Sequence, residues 1–311
     1  MALHTALASL LGLALAGFAP AAAAADALPL PKVASGSLTR LAALPSRFVA
    51  ARDVDVWIPA GYPPGQRFGV LYMHDGQMLF DATTTWNHQA WAVDATLTRL
   101  MQEGRVPPTM VVGISSIAAL RHAEYYPEKF LAHVAEPLRG RFIAEDLNGR
   151  PQADAYLRFL VEELKPEIDR RFPTLPDAAH TTVMGSSMGG MISIYAMNEY
   201  PGVFGAAGGL STHWPGLRVP NAALPLAAFE YLRDHLADPA GHRLYMDRGT
   251  TTLDALYAPY QPFVDELVRE RGYTAANSLS RVFDGEGHNE VAWARRLEIP
   301  LTFLLGGAPT K

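Results

Sequence analysis

The stretch that decides the fold is TTVMGSSMGGMISIYA, residues 181–196. Its first residues form a short apolar run that favours a strand, and its last residues continue into a run that favours a helix. The glycines and serines between the two runs predict a sharp turn from the strand into the helix. This segment contains the pattern Gly-x-Ser-x-Gly, with Ser187 at its centre.

Ser187 is the candidate nucleophile of this turn. A serine hydroxyl becomes reactive when the chain holds it in the open beside a base, and a strained strand-turn-helix elbow with flanking glycines does this. Ser186 does not fit the pattern, because Met184 and Met188 occupy the positions where glycine would be needed. The alternative is an ordinary glycine-serine turn, so the prediction depends on partners elsewhere in the chain.

The predicted base is a histidine that follows Ser187, because hydrolases with this elbow run in the chain order serine, acid, histidine. Of the four candidates, His288 lies in the glycine-rich segment DGEGHNE, between a predicted strand and the last predicted helix. His213 is expected in the wall of a pocket, and His235 and His242 are expected in solvent. His288 is therefore the predicted base.

Two aspartates flank the end of the preceding predicted strand, Asp247 in YMDRG and Asp254 in GTTTLD. The acid of a serine hydrolase holds the second nitrogen of the histidine and so fixes its orientation. We favour Asp254, because a carboxylate farther along the loop can reach His288. Asp247 remains the alternative, although its place beside the strand suits a structural bond to the turn.

An acyl-transfer intermediate also needs hydrogen-bond donors for its negatively charged oxygen. The backbone N–H of Met188, directly after the serine, is the first predicted donor. The second is expected from the segment HDGQ, where Gly76 lets the chain turn and the N–H of Gln77 is the candidate. The alternative for HDGQ is an ordinary Asp-Gly turn.

Short apolar runs alternate along the chain with segments of helical spacing, which predicts an α/β protein with a mostly parallel central sheet and helices on both faces. Because sites in such sheets form at the carboxyl ends of strands, the loops with the candidate residues are expected to meet at one edge. Strands are predicted within FVAARDVDVWIPAGY, FGVLYMHDGQ, TMVVGISS, TTVMG, VFGAAGGLS, HRLYMDRG and LSRVFDGEGHNE, and helices within DAYLRFLVEELKPEIDRRF, MISIYAMNEYP and EVAWARRLEIPLTFLLG.

Several residues outside the candidate site have less specific interpretations. Pro166 is expected to kink its predicted helix. Asp53 and Asp55 alternate along a predicted strand and are expected to face solvent. Trp86 and Trp91 either line a pocket for an aromatic group or cover the sheet.

The composition of the 311-residue chain excludes several classes of function. The chain has no cysteine, which removes disulfides, thiol nucleophiles and cysteine-metal sites. Its formal net charge is -5 and no basic stripe is present, so nucleic acid is not an expected partner. Neither H-E-x-x-H nor G-x-G-x-x-G occurs at a strand-helix junction, and we expect no metal and no cofactor.

The first residues predict a secretory signal peptide, residues 1–25, ahead of a single catalytic domain, residues 26–311. An apolar run from Ala6 to Phe18 precedes alanines that offer a cleavage site before Asp26. The run is short for a membrane span, and no later segment is long and apolar enough for one. The expected location is therefore the periplasm or the outside of the cell.

The candidate segments together resemble the esterase-D-like branch of the α/β-hydrolases, which includes enterochelin and feruloyl esterases. The resemblance runs from about Val54 to Leu305 and implies the α/β-hydrolase fold. It also implies that the residue after Asp-Gly, Gln77, supplies an oxyanion amide and that the acid lies in the loop of Asp254. The matching segments are VDVWIPAGY, LYMHDGQMLFD, VVGISS, RHAEYYPEKF, GSSMGG, LYMDRGTTTLDALY and FDGEGHNEVAWARRLEIPLTFLL.

These inferences together predict a secreted serine esterase with Ser187 as nucleophile, His288 as base and Asp254 as the orienting acid. The expected partner is a small-molecule or glycan ester. One alternative is an acyltransferase that uses the same residues to acylate a sugar or lipid alcohol. Another is a binding domain without catalytic activity on the same fold.

Overall fold

A sheet of eight strands forms the centre of the structure, a computed structural model that describes residues 29–306. The predicted signal peptide lies outside these residues. The strands are β1 (Ser37–Leu44), β2 (Arg52–Ile58), β3 (Gly69–His74), β4 (Thr109–Ile114), β5 (Thr181–Ser186), β6 (Ala206–Leu210), β7 (Arg243–Gly249) and β8 (Ser278–Phe283). Their order across the sheet is β1-β2-β4-β3-β5-β6-β7-β8. β2 pairs antiparallel with β1 and β4, and all other pairs are parallel.

Helices cover both faces of this sheet. The helices are α1 (Val93–Gln102), α2 (Arg121–Tyr125), α3 (Leu138–Asp146), α4 (Ala153–Arg158), α5 (Lys165–Arg171), α6 (Met188–Glu199), α7 (Ala223–His235), α8 (Gln261–Glu270), α9 (Glu290–Arg296) and α10 (Glu298–Leu305). None of the helices within residues 29–306 has the length and apolar character to cross a membrane.

The alternation of side chains along the buried strands produces two hydrophobic cores. Val70 and Tyr72 of β3 belong to one cluster of buried residues, whereas Leu71 and Met73 belong to the other. Successive side chains of a strand point to opposite faces, so the two clusters lie on opposite sides of the sheet. α1, α9 and α10 contribute to the second cluster, and α4 to α8 contribute to the first. The predicted α/β fold with helices on both faces is confirmed.

The predicted closing helix is two helices, because Pro300 interrupts it. A proline has no N–H to donate to the carbonyl four residues earlier, and its ring crowds that carbonyl. The carbonyl in question belongs to Arg296, which is the residue where α9 ends. Pro166 does not end its helix: a π-helical turn, Phe159–Leu164, joins α4 to α5 without a break directly before it. Irregular turns of this kind occur where the regular hydrogen bonds of a helix are interrupted.

The expectation that Asp55 faces solvent is wrong, and the reason is a strand that was not predicted. β1 pairs with β2 and places Arg40 directly opposite Asp55. The guanidinium of Arg40 donates from Nε and Nη2 to the two carboxylate oxygens, each at 2.7 Å. Asp55 is fully buried, and Asp53 accepts the N–H of Ala43 at 2.8 Å. The pairing with edge strand β1 therefore buries Asp55 and gives it an ion-pair partner.

A second ion pair joins β2 to the helix that follows β4. Arg52 donates from Nη1 and Nη2 to the two carboxylate oxygens of Glu124, at 2.9 and 2.6 Å. Both side chains are almost completely buried, and the guanidinium also lies over the ring of Tyr156, 5.2 Å from its centre. This pair fixes α2 against the sheet.

Loss of one partner of this ion pair should destabilise the fold strongly. In Glu124→Ala the Arg52 charge stays buried without a partner, which costs about 3 to 5 kcal/mol of unfolding free energy. Urea unfolding followed by circular dichroism measures the difference. The matched control is Glu162→Ala, which breaks the exposed Arg158 pair and should change the midpoint little. Equal effects of the two substitutions would contradict the prediction.

Candidate active site

Ser187 lies at the junction of β5 and α6 with a backbone conformation that is unusual for a residue with a side chain. Its φ is 57° and its ψ is -123°. Such strain persists only where the surroundings impose it. Here β5 and α6 approach so closely that a methyl group on Gly185 would lie 2.7 Å from the carbonyl carbon of Gly189. The Ser187 N–H also donates to the carbonyl of Leu210 at 2.8 Å. The predicted strand-turn-helix connection is therefore present at Ser187.

Asp254 contacts the imidazole of His288. Nδ1 of His288 lies 2.6 Å from Oδ1 of Asp254. The other carboxylate oxygen accepts hydrogen bonds from the Ser211 hydroxyl at 2.5 Å and the Gly249 N–H at 2.6 Å. Burial opposes the charged form of Asp254, but the bonds from His288, Ser211 and Gly249 outweigh it and hold the pKa of Asp254 below its ordinary value. Asp254 is thus a buried carboxylate oriented by two fixed donors.

Asp247 has a different set of partners. It accepts bonds from Nε and Nη2 of Arg296 at 3.1 and 2.9 Å, from the Tyr245 hydroxyl at 2.8 Å and from the Ser211 N–H at 3.0 Å. Burial raises the pKa of Asp247 above its ordinary value, although Arg296 acts against this. With its oxygens occupied in this way, Asp247 links β7 to α9 and the loop after β6, whereas Asp254 is the aspartate at the imidazole.

Tyr257 is a residue of this cluster that sequence reasoning missed. It shares a 3-10 helical turn, Thr252–Tyr257, with Asp254, and residues three apart in such a turn lie on the same face. Its phenol lies 2.8 Å from Nδ1 of His213. Burial raises the pKa of the Tyr257 phenol well above its ordinary value, and the nearby Ser187 side chain acts against this rise. Its ring centre is 5.9 Å from that of His288. In the sequence, the spacing of three residues between Asp254 and Tyr257 was the one indication that they share a face.

The contacts of Ser187 and His288 differ from those of a closed catalytic triad. Among the described residues, the Ser187 hydroxyl makes no hydrogen bond to His288, whose Nδ1 contacts Asp254. Tyr257 lies near both residues, so the two candidate groups belong to one cluster. His213, expected in a pocket wall, is buried in the same cluster, and its N–H donates to the Ser187 carbonyl at 3.2 Å. The direct contact of Ser187 with His288 stays a prediction.

The two predicted oxyanion donors, the backbone N–H groups of Met188 and Gln77, both lie near the start of a helical turn. Met188 is the first residue of α6, and the first N–H groups of a helix have no partner within it. Gln77 lies in a short 3-10 turn, Gly76–Met78. Its side chain donates to the Ser116 hydroxyl at 2.8 Å and accepts the Ser116 N–H at 3.1 Å, which fixes the turn to the end of β4. Gly76 has no room for a side chain, because a methyl group would lie 2.5 Å from Gly113.

The two tryptophans have opposite environments. Trp91 is buried against Trp293, with ring centres 5.6 Å apart, and therefore covers the sheet. Trp86 is 82% exposed. Its neighbour Asn87 donates to the Glu290 carboxylate at 2.8 Å, so the loop of Trp86 lies beside the loop of His288.

A cavity of about 710 Å³ lies away from the candidate active site. It is lined by residues at the amino ends of the parallel strands, among them Gly69, Thr109 and Arg243, whereas the candidate residues follow the carboxyl ends. Across residues 29–306, no group of three histidine, aspartate or glutamate side chains is placed to hold a metal ion.

Comparison with known proteins identifies relatives among esterases. The family model described as "Putative esterase" matches residues 46–298. Ferri-bacillibactin esterase BesA of Bacillus subtilis is 28% identical over 163 residues, which is 50% of this chain and 50% of that protein. The uncharacterized protein YbbA of the same species is 23% identical over 263 residues, 82% of this chain and 93% of that protein. The chain thus spans about half the length of the first of these relatives.

Solved structures of esterases share the fold. A ferulic acid esterase superimposes with a TM-score of 0.63 at 18% identity, over 87% of this chain and 98% of that one. The enterobactin esterase FES of Shigella flexneri superimposes with a TM-score of 0.63 at 20% identity, over 90% of this chain and 61% of that one. At these identities the likeness establishes the α/β-hydrolase fold.

The buried histidines beside the site should make stability depend on pH. Burial lowers the pKa of His74 and of His213 to about 3, from an ordinary value of 6.5. Between these values the unfolded chain binds protons that the folded chain does not, so stability is lost as the pH falls through this window. Each histidine contributes a slope of up to about 1.4 kcal/mol per pH unit.

The contribution of His213 can be isolated with His213→Gln. Urea unfolding of both proteins between about pH 7 and pH 4 should give a shallower loss of unfolding free energy in the variant. Parallel curves would show that His213 does not resist protonation in the folded protein.

Proposed function

The chain belongs to the esterase family of the α/β-hydrolase superfamily, and from that premise we propose that it hydrolyses carboxylic esters through an acyl-enzyme on Ser187. The observation that carries the proposal is the 2.6 Å contact between Asp254 and His288 beside a serine with a φ of 57°. The family match covers both loops and the turn at Ser187, since it extends over residues 46–298.

The proposed first step is the attack of the Ser187 oxygen on the ester carbonyl. With Nδ1 of His288 engaged by Asp254, Nε2 is the nitrogen left to accept the serine proton. The transfer requires the Ser187 hydroxyl to turn towards this nitrogen. His288 then donates the proton to the departing alcohol, and Asp254 stabilises the imidazolium without taking the proton.

The negative charge of the intermediate would be bound by the N–H groups of Gln77 and Met188. Met188 contributes in addition the amino end of α6, where the helix dipole favours an anion. Water then adds to the acyl-enzyme with His288 as base, the carbon–oxygen bond to Ser187 breaks, and His288 returns the proton to the serine.

A small-molecule or glycan ester is the proposed substrate class. The relatives and structural neighbours support it, since their names state esterase activity on ferri-bacillibactin, enterobactin and ferulic acid esters. These substrates differ greatly in size, and a shared fold does not select among them. The charge of the chain and its lack of a basic stripe agree with a substrate other than nucleic acid.

Export is the second part of the proposal. The apolar run of residues 6–18 and the alanines before Asp26 support a cleaved signal peptide and a location in the periplasm or outside the cell. If this is right, the intact mass of protein recovered from the periplasm of a bacterial host corresponds to a chain that begins near Asp26. Full-length protein retained in the cytoplasm would contradict it.

Substitution of the proposed nucleophile should abolish ester cleavage. Ser187→Ala removes the atom that forms the acyl-enzyme, and we expect kcat for p-nitrophenyl acetate to fall by about 10⁴-fold or more. A fluorophosphonate probe should label the parent protein on Ser187 and should not label the variant. His288→Ala and Asp254→Asn should each lower kcat by about 10⁴-fold.

Ser186→Ala is the matched control, because it removes the neighbouring hydroxyl of the same turn. It should keep both labelling and activity within about tenfold of the parent. Undiminished cleavage by Ser187→Ala would refute the proposed mechanism, provided that circular dichroism shows both variants folded.

A further inference from the structure

An ion pair holds the turn that carries the proposed oxyanion amide of Gln77. Asp75 directly follows β3. Its backbone has the left-handed conformation, with a φ of 55°. Arg121, the first residue of α2, donates from Nε and Nη2 to the two oxygens of Asp75, each at 2.7 Å. Such a bidentate pair fixes the plane and position of the carboxylate. Arg121 also lies over the ring of Tyr125, whose hydroxyl accepts the Asp75 N–H at 3.3 Å.

The Asp75 carboxylate lies beside the start of α6, which carries one proposed oxyanion donor, and the turn that follows Asp75 carries the other. It is two residues before Gln77 along the chain. A methyl group built on Gly189 would lie 3.4 Å from Oδ2 of Asp75, and Gly189 directly follows Met188 in α6. A negative charge at this place would repel the charge that develops on the oxyanion.

Arg121 supplies the compensating positive charge. A guanidinium stays protonated at any working pH, so the pair has no net charge while both partners are present. The neighbouring His74 cannot replace it, because burial lowers the pKa of His74 to about 3 and leaves it neutral. Glu290 also faces Arg121 and adds a second carboxylate to its surroundings.

We propose that Arg121 is a positioning residue of the oxyanion site, which fixes the Asp75 turn and neutralises the Asp75 charge so that the Gln77 and Met188 amides can bind an anion. The inference rests on the proposed function, because it concerns the same reaction. It adds a residue that acts through Asp75, to which both of its hydrogen bonds go.

The inference predicts an unusual pH dependence for Arg121→Met. Burial alone raises the pKa of Asp75, and in the parent Arg121 outweighs burial and holds the pKa below its ordinary value. Without Arg121 the effect of burial remains, so Asp75 takes up a proton at a higher pH. The protonated carboxyl no longer repels the oxyanion. The activity of the variant relative to the parent should therefore recover as the pH falls.

The experiment compares the parent protein with four variants. It measures kcat, KM and the inhibition constant of a boronic acid, with kcat expressed per active site titrated by a fluorophosphonate. At about pH 8 we expect Arg121→Met to lose about 10²-fold in kcat with little change in KM. The inhibition constant of the boronic acid, whose tetrahedral adduct on the serine is anionic, should rise by the same factor. The deficit in kcat should shrink at about pH 5.5.

Two further variants separate charge from shape. Arg121→Met combined with Asp75→Asn removes both charges and should recover kcat to within about tenfold of the parent. Arg121→Lys keeps the charge without the bidentate geometry and should lie between the parent and Arg121→Met. The matched control is Arg47→Met, which breaks the exposed Glu163 pair and should keep parental kinetics.

The inference is overturned if the deficit of Arg121→Met is the same at every pH and the added Asp75→Asn brings no recovery. That result would mean that the pair only supports the fold. Failure of the proposed function has a different signature, since the parent protein itself would then neither react with the fluorophosphonate nor cleave esters.

Discussion

The close approach of β5 and α6 is the constraint on which the site depends. Their backbones pass so near each other at Gly185 and Gly189 that no side chain fits at Gly185. Ser187 makes this turn with a φ of 57°, and α6 begins directly after it. The strained backbone of Ser187 thus allows the serine hydroxyl and the amino end of the α6 dipole to lie at one point. The position at the carboxyl edge of a parallel sheet then brings the loops of β3, β7 and β8 to that point.

The segment after β6 connects these loops to one another. The Ser211 hydroxyl donates to Asp254 and accepts bonds from Nε1 of Trp293 and Nη2 of Arg296, both at 2.9 Å. Its N–H donates to Asp247, and two residues later the N–H of His213 donates to the carbonyl of Ser187. The turn at Ser187, the loop of Asp254 and α9 therefore all bind to one short buried segment, Ser211 to His213. A displacement of any one of them would break bonds made by the others, which is how a site assembled from distant parts of the chain keeps its geometry.

Features that a residue type and its spacing determine locally could be predicted from the sequence. Features that depend on contacts with distant parts of the chain could not. The turn at Ser187 followed from glycine positions, and the central strands followed from apolar runs that are buried on both faces. β1 was missed because it is an edge strand with mostly exposed residues and a register shift near Leu44, so it has no such run. The burial of Asp55 was missed with it.

Tyr257 was missed because a tyrosine in a loop has no motif, and its relation to Asp254 exists only once the 3-10 turn forms. The helix break at Pro300 was available from the sequence, since proline excludes the bond to Arg296.

The carboxylates around the site have two kinds of partner. Asp75, Asp247 and Glu124 are each paired with an arginine, and arginine does not release its proton. Asp254 is paired with a histidine, the side chain suited to exchange protons near neutral pH. Two buried histidines at this end of the sheet, His74 and His213, stay neutral because burial lowers the pKa of each to about 3. In the proposed mechanism the proton of Ser187 goes to His288, and Asp254 would stabilise the charged imidazole, so the short turn that carries Asp254 matters as much as the proposed nucleophile.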